Sequence, residues 1–218
     1  MIMKKTIKAT IKKLIPNAVI LRTLENYGHN SLVLTFDDGP HPDLTPRVLD
    51  ILEEYQVRAF FFVVGRFLEK YPNLLIDIQQ RGHIIGNHTY EHPEKNYSSY
   101  FAYKIDVKKC QDKIYQITGE KALYFRPPRG VVSLKSLWVA KIFKLKTVLW
   151  SCEGGEWDVN RTDDATTIAN RLLTSLKPND IVLLHDNNPK ILNILEIILP
   201  SLRQNDLDLY NAINHLPD

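Results

Sequence analysis

Acids and histidines stand in this chain at spacings that suit metal-assisted hydrolysis. Asp37 and Asp38 lie together in Thr35-Phe36-Asp37-Asp38-Gly39-Pro40. Alone, Asp-Asp-Gly-Pro reads as a turn, because Asp bonds its own backbone while Gly and Pro set the dihedrals. Two carboxylates at the mouth of a buried strand also repel each other, and a cation or an arginine relieves that cost. His88 and His92 lie four apart in Gly86-Asn87-His88-Thr89-Tyr90-Glu91-His92-Pro93. In one helical turn this spacing points both imidazoles to one side. Joined by an aspartate from an adjoining strand, they make a two-His, one-Asp set with an open position. That is the composition of a catalytic zinc site, not a closed structural one. No Glu follows His88 directly, which separates the pair from the His-Glu-x-x-His of zinc proteases.

Three further segments carry chemistry. In Phe125-Arg126-Pro127-Pro128-Arg129-Gly130, consecutive prolines remove backbone donors and force an extended path. Arg126 then faces the acids, and the Arg129 amide is offered to the site as an oxyanion donor. Trp150-Ser151-Cys152-Glu153-Gly154-Gly155-Glu156-Trp157 sets two acids and two aromatics in a glycine-bearing loop, where Trp serves as packing anchor or sugar platform. His185 caps the apolar run Ile181-Val182-Leu183-Leu184, and its near-neutral titration suits acid–base work.

Elements that could bring these residues together are legible in the hydrophobic pattern. Short apolar runs at 31–36, 58–64, 82–87, 123–126, 147–150, 180–185 and 208–213 lack polar alternation, as strands covered on both faces do. Amphipathic stretches at 44–56, 67–80, 97–118, 133–143, 162–176 and 190–204 separate them. Strands alternating with helices predict parallel pairing, here an α/β fold: one domain with a distorted, incomplete barrel of seven or eight β/α units. A doubly wound open sheet is the alternative. The candidate residues fall where predicted strands end, and those ends open on one face of a β/α barrel.

The rest of the composition is plain. At 218 residues, 44% apolar and 24% charged, the chain is an ordinary globular domain that needs no disulfide to fold. Its net charge of +3 predicts no nucleic-acid partner. Cys110 and Cys152 have no metal-ligand spacing. Residues 1–30 read as a basic helical segment, because Lys4, Lys5, Lys8, Lys12 and Lys13 interleave with Ile7, Ile11, Leu14 and Ile15. The lysines interrupt any signal-peptide or membrane-spanning run. A surface helix or a weak peripheral contact with anionic lipid fits this pattern. The expected location is the cytoplasm or the cytoplasmic face of the membrane.

Taken together and in order, the segments from 31 to 218 resemble the polysaccharide deacetylases, carbohydrate esterases of family 4 that include the nodulation-factor chitooligosaccharide deacetylase. The resemblance implies a distorted β/α barrel that hydrolyses N-acetyl groups on an amino sugar, oligosaccharide or polysaccharide. It casts Asp37 as catalytic base and Arg126 as the arginine that orients it. Asp38, His88 and His92 become ligands of one divalent metal, zinc by expectation, with cobalt or nickel as alternatives. The Arg129 amide becomes the oxyanion contact, Leu183 and Trp157 enclose the acetyl methyl, and His185 is the general acid tuned by Glu156. Three departures stand out. Arg129 replaces the usual Tyr, Glu153 and Glu156 replace the usual aspartates, and Phe60 replaces the usual Thr. An O-acetyl esterase or a deformylase on a lipid-linked glycan shares this site. A catalytically silent carbohydrate-binding protein would have lost a ligand or the base, and none is substituted.

Overall fold

A computed structural model describes residues 20–24, 30–93, 99–158, 162–205 and 207–215. Eight strands form one sheet: β1 (Ile20–Leu21), β2 (Val33–Asp37), β3 (Phe60–Val63), β4 (Ile84–Asn87), β5 (Tyr124–Phe125), β6 (Lys146–Val148), β7 (Cys152–Glu153) and β8 (Ile181–His185). Every ladder is parallel, in the order β1-β6-β5-β4-β3-β2-β8-β7. From β2 to β6 each strand lies beside the next in sequence, with no reversal of direction. A doubly wound sheet would reverse at a switch point, so the barrel reading holds. β1 and β7 end the sheet as edges, and the barrel stays open between them.

The described helices are α1 (Leu44–Glu54), α2 (Gly65–Lys70), α3 (Pro72–Gln80), α4 (Tyr100–Thr118), α5 (Leu134–Ile142), α6 (Ala165–Ser175) and α7 (Ile191–Gln204). Three boundaries follow from local chemistry. The single helix expected at 67–80 is two, because Pro72 starts α3 and cannot continue a preceding helix. Ser99 and Ser133 cap α4 and α5 by accepting the amides of Ala102 and Ser136, which satisfies otherwise orphaned donors. The run at 208–213 is no strand. Asp208 makes an isolated bridge to Ser31, and Ala212–His215 is a short 3₁₀ turn.

Within the segment read as helical, Ile20–Leu21 instead forms the edge strand β1, paired with β6. The lysine-bearing helix and its lipid contact lie outside the described residues.

Alternation along the strands divides the core. Phe36, Phe61, Leu34, Val182 and Leu184 point outward and pack under the helices with Leu49, Leu52, Leu195 and Ile198. Val33, Phe60, Phe62, Tyr124, Val148 and Ile181 fill the barrel interior with Ala212 and Ile213. Phe60 stacks on Phe62 at 5.8 Å and meets Tyr124 edge-on at 5.0 Å. The departure at Phe60 is therefore core packing.

Candidate active site

β2 supplies the first two acids at its C-terminal end. Asp37 is its last residue and stays on the interior face, one alternation above Thr35. Asp38 leaves the strand with φ of 72°, a left-handed conformation that Asp tolerates. Gly39 follows because nothing larger fits. A Cβ there would overlap the Asp186 carboxylate, whose Oδ2 accepts a 2.5 Å hydrogen bond from Thr45 Oγ1. Burial pushes the Asp186 carboxyl up to about 7, and the nearby Asp38 charge adds to the rise. Asp186 thus ties the end of β8 to Thr45 of α1 and packs against the turn at Gly39.

His88 follows β4, but the helical turn expected to align it with His92 does not form. Thr89 and His92 have φ of 69° and 46°, so the chain folds back as an irregular loop. Its amides find other acceptors. Tyr90 and Glu91 donate to buried Asp106 of α4 at 3.1 and 3.2 Å, Thr89 donates to Asn87 Oδ1, and His92 donates to Thr89 Oγ1. This bracing holds the two rings 4.8 Å apart. The spacing suggested convergence correctly; the loop achieves it by a different route.

Nε2 of His88 lies 3.5 Å from Asp38 Oδ1, and Nε2 of His92 lies 3.4 Å from the same oxygen. Ligand bonds of about 2.0–2.1 Å in tetrahedral geometry separate donor atoms by about 3.4 Å. The donor set therefore fits a small divalent cation. Two further observations agree. Asp38 Oδ1 is buried without a hydrogen-bond partner among the described residues. His88 Nδ1–H donates to the Arg126 carbonyl at 2.7 Å, which leaves Nε2 as a bare lone pair, the usual tautomer of a ligating histidine. Among the described residues these three form the one cluster of His, Cys, Asp and Glu able to hold a metal. Burial raises the Asp38 carboxyl, yet the imidazoles gathered around it hold it well below the usual carboxylate range.

Arg126 is fully buried inside the barrel. Nη1 donates to Asp37 Oδ1 at 2.6 Å and to Thr35 Oγ1 at 2.8 Å. Nε and Nη2 donate to the carbonyls of Val148 and Leu149 at 3.2 and 3.0 Å. The guanidinium also lies over the rings of Phe62 and Trp150, 4.1 and 5.5 Å from their centroids. So many partners fix its fork in one plane, and with it the Asp37 carboxylate.

Opposite, His185 is the register partner of Asp37 across β8 and β2, so both project into the mouth from neighbouring strands. Its Nδ1 lies 2.9 Å from Glu156 Oε1, and the Glu156 side chain is fully buried. The longer side chain at this position therefore reaches the imidazole. Burial pushes His185 down, but the bond to Glu156 and the charges of Asp37, Glu156 and Asp38 outweigh it and raise its pKa.

Glu153 does not touch His185. Its Oε2 accepts from both indoles, Trp150 Nε1 at 3.1 Å and Trp157 Nε1 at 3.2 Å. A cavity of about 400 Å³ is lined by Asp37, Asp38, His88, His92, Arg129, Trp150, Trp157, Leu183 and His185. Arg129 holds the strained φ of 56° in the Pro128–Gly130 turn, and its side chain donates to the Pro93 carbonyl at 2.9 Å. The structure thus gathers every residue singled out in the sequence. It adds Asp106 and Asp186, and it sets Thr35 and Trp150 of the quoted segments against the Arg126 guanidinium.

Comparison with known proteins agrees with this geometry. Residues 25–148 match the profile of a family described as polysaccharide deacetylase. A chitooligosaccharide deacetylase of Azorhizobium caulinodans is 36% identical over 161 residues, covering 73% of this chain and 75% of that one. A peptidoglycan-N-acetylglucosamine deacetylase of Bacillus cereus is 34% identical over 200 residues, covering 88% and 91%. Among solved structures, a family 4 carbohydrate esterase of Bacillus subtilis superposes with a TM-score of 0.80 at 29% identity, covering 91% of this chain and 85% of that one.

Proposed function

The chain belongs to the polysaccharide deacetylase family, metal-dependent hydrolases of N-acetyl groups on amino sugars, and from that premise we propose how its residues divide the work. Asp38, His88 and His92 hold the cation, and zinc suits a two-His, one-carboxylate set best. When bound, the cation supplies Lewis-acid polarisation of the acetamide carbonyl and of the attacking water.

Asp37 takes the proton of that water, with its carboxylate fixed by Arg126. Leu183 and Trp157 flank the acetyl methyl, and the turn at Arg129 faces the developing oxyanion. His185 holds a proton and passes it to the amine, which leaves poorly as an anion. Glu156, bonded to Nδ1, directs the other ring nitrogen toward the cavity and favours the charged ring. The substrate we propose is an oligomer containing N-acetylglucosamine, the sugar common to chitooligosaccharides and to the Bacillus cereus relative's named substrate.

The observation that carries this reading is the facing pair Asp37 and His185, with the three-donor set beside them. Acetate release from N-acetylated chitooligosaccharides tests it, alongside O-acetylated and formylated sugars. Asp37→Asn should bind metal normally and lose about 10²–10⁴-fold in turnover. His88→Ala should lose both metal and activity. Wild-type turnover by Asp37→Asn removes the base assignment, and full metal loading of His88→Ala removes the ligand assignment.

A further inference from the structure

Outside the active site, α4 and α5 leave a broad apolar face uncovered. Leu134, Trp138 and Ile142 repeat one turn apart on the outward side of α5, exposed by 88%, 57% and 42%. Its inward side carries Val139 and Ala140, so the helix is apolar on both sides. α4 adds Phe101 and Ile105, also one turn apart and exposed by 72% and 65%. The stripes meet at Tyr100. Its ring lies 5.6 Å from that of Phe101, and it shares a groove with Leu134, Leu137 and Trp138. Single exposed apolar residues are ordinary on a protein surface, whereas a contiguous patch marks a contact.

Charge selects the contact. Between residues 121 and 152 the chain has six Lys and Arg besides the buried Arg126, and no Asp or Glu. Lys135, Lys141 and Lys144 stand exposed beside the α5 stripe, with Lys141 Nζ 5.5 Å from the centroid of Trp138. On α4, Lys108 pairs with Asp112. A lysine-rimmed face repels a second copy of itself. It equally repels the N-terminal segment, whose five lysines at 4, 5, 8, 12 and 13 have no acid among them. It suits a partner that is anionic at its surface and apolar beneath.

We propose that the α4–α5 face is a peripheral docking surface for a bilayer rich in anionic phospholipid. Trp, Phe and Leu enter the acyl boundary while lysines meet the headgroups. No helix among the described residues is long and apolar enough to cross a membrane. The face also runs up to the catalytic mouth. Leu134 and Lys135 share a cleft with Arg129, and Arg129 lines the active-site cavity. Docking therefore sets the mouth beside the headgroups, within reach of a glycan held at the membrane.

Flotation of the full chain with vesicles tests this. One set contains phosphatidylcholine alone, and the other adds about 30% phosphatidylglycerol. Wild type should float with the anionic vesicles only. Leu134→Ser with Trp138→Ser, and separately Lys135→Gln with Lys141→Gln and Lys144→Gln, should each lower the bound fraction at least about tenfold. Both variants should keep wild-type circular dichroism and wild-type acetate release from a soluble chitooligosaccharide. A variant with Gln at all five N-terminal lysines should keep the binding that depends on α5. Equal flotation with both vesicle types overturns the proposal. So does binding lost only in the N-terminal variant, or a wild-type dimer that Leu134→Ser with Trp138→Ser makes monomeric.

Discussion

Glu156→Gln isolates one charge in the proposed acid–base pair. Gln keeps the length of the side chain and an oxygen able to accept from His185 Nδ1, while the negative charge disappears. The two groups sit 2.9 Å apart with side chains only 12% and 0% exposed, so little water screens them. Two unit charges about 4 Å apart at an effective dielectric near 20 interact by about 4 kcal/mol. The hydrogen bond that Gln retains, and the charges of Asp37 and Asp38 that still raise His185, leave about a third to a half of that as the net change. This corresponds to about one to one and a half pH units. The sign follows from the role. In the proposed role His185 acts protonated, so activity falls as pH rises through its pKa, and lowering that pKa moves the alkaline limb to lower pH. We expect the limb of kcat/KM for acetate release to shift down by about one to one and a half units. Turnover above the new limb should fall about 10–30-fold, with a smaller loss on the acid side. Glu153→Gln should leave the limb in place, since Glu153 contacts Trp150 and Trp157. A folded, metal-loaded Glu156→Gln enzyme with an unmoved alkaline limb would refute the tuning argument.

Other expectations follow from the same structure. Arg126→Met strands a buried Asp37 without its cation, which costs about 3–5 kcal/mol in denaturant unfolding. Adding Asp37→Asn should restore part of that stability, and strictly additive losses would contradict the pairing. Glu153→Ala frees both indoles at the mouth. KM for oligosaccharides should rise several-fold while metal content and the alkaline limb stay put, a split readable in steady-state kinetics. His83 is buried, and burial together with the Arg58 and Arg81 charges pushes its pKa down to about 4. The unfolded chain, near 6.5, binds the proton first, so stability is lost as pH falls from about 6.5 to about 4, by up to about 3 kcal/mol. Thermal melts of His83→Asn should show a flatter pH dependence across that window than wild type.

Much of this site can be read from sequence because parallel strands impose a common direction. Placing Asp37, His88, Arg126 and His185 at strand ends was enough to predict that they open on one face. Apolar runs without polar alternation gave the sheet, and the outward and inward layers followed from period-two geometry at Phe60, Phe61 and Phe62. Weaker signals failed for local reasons. β1 and β7 have two residues each, too few to show any period. The run at 208–213 has strand composition, but only Asp208 finds a bridging neighbour.

Residue types and order therefore determined the proposed chemistry: a candidate two-His, one-Asp donor set, a carboxylate with its arginine, and a histidine facing it on a β/α scaffold. The family resemblance alone singled out Glu156, and tertiary structure gives the physical difference between the two glutamates. Glu153 and Glu156 are three residues apart and chemically identical, and nothing in their spacing says that one clamps two indoles while the other, fully buried, grips His185. It also decided how His88 and His92 meet, through a loop whose amides are taken up by Asp106, Asn87 and Thr89 and not through a helical turn. Both outcomes depend on partners distant in sequence, and only folding brings those within hydrogen-bonding distance.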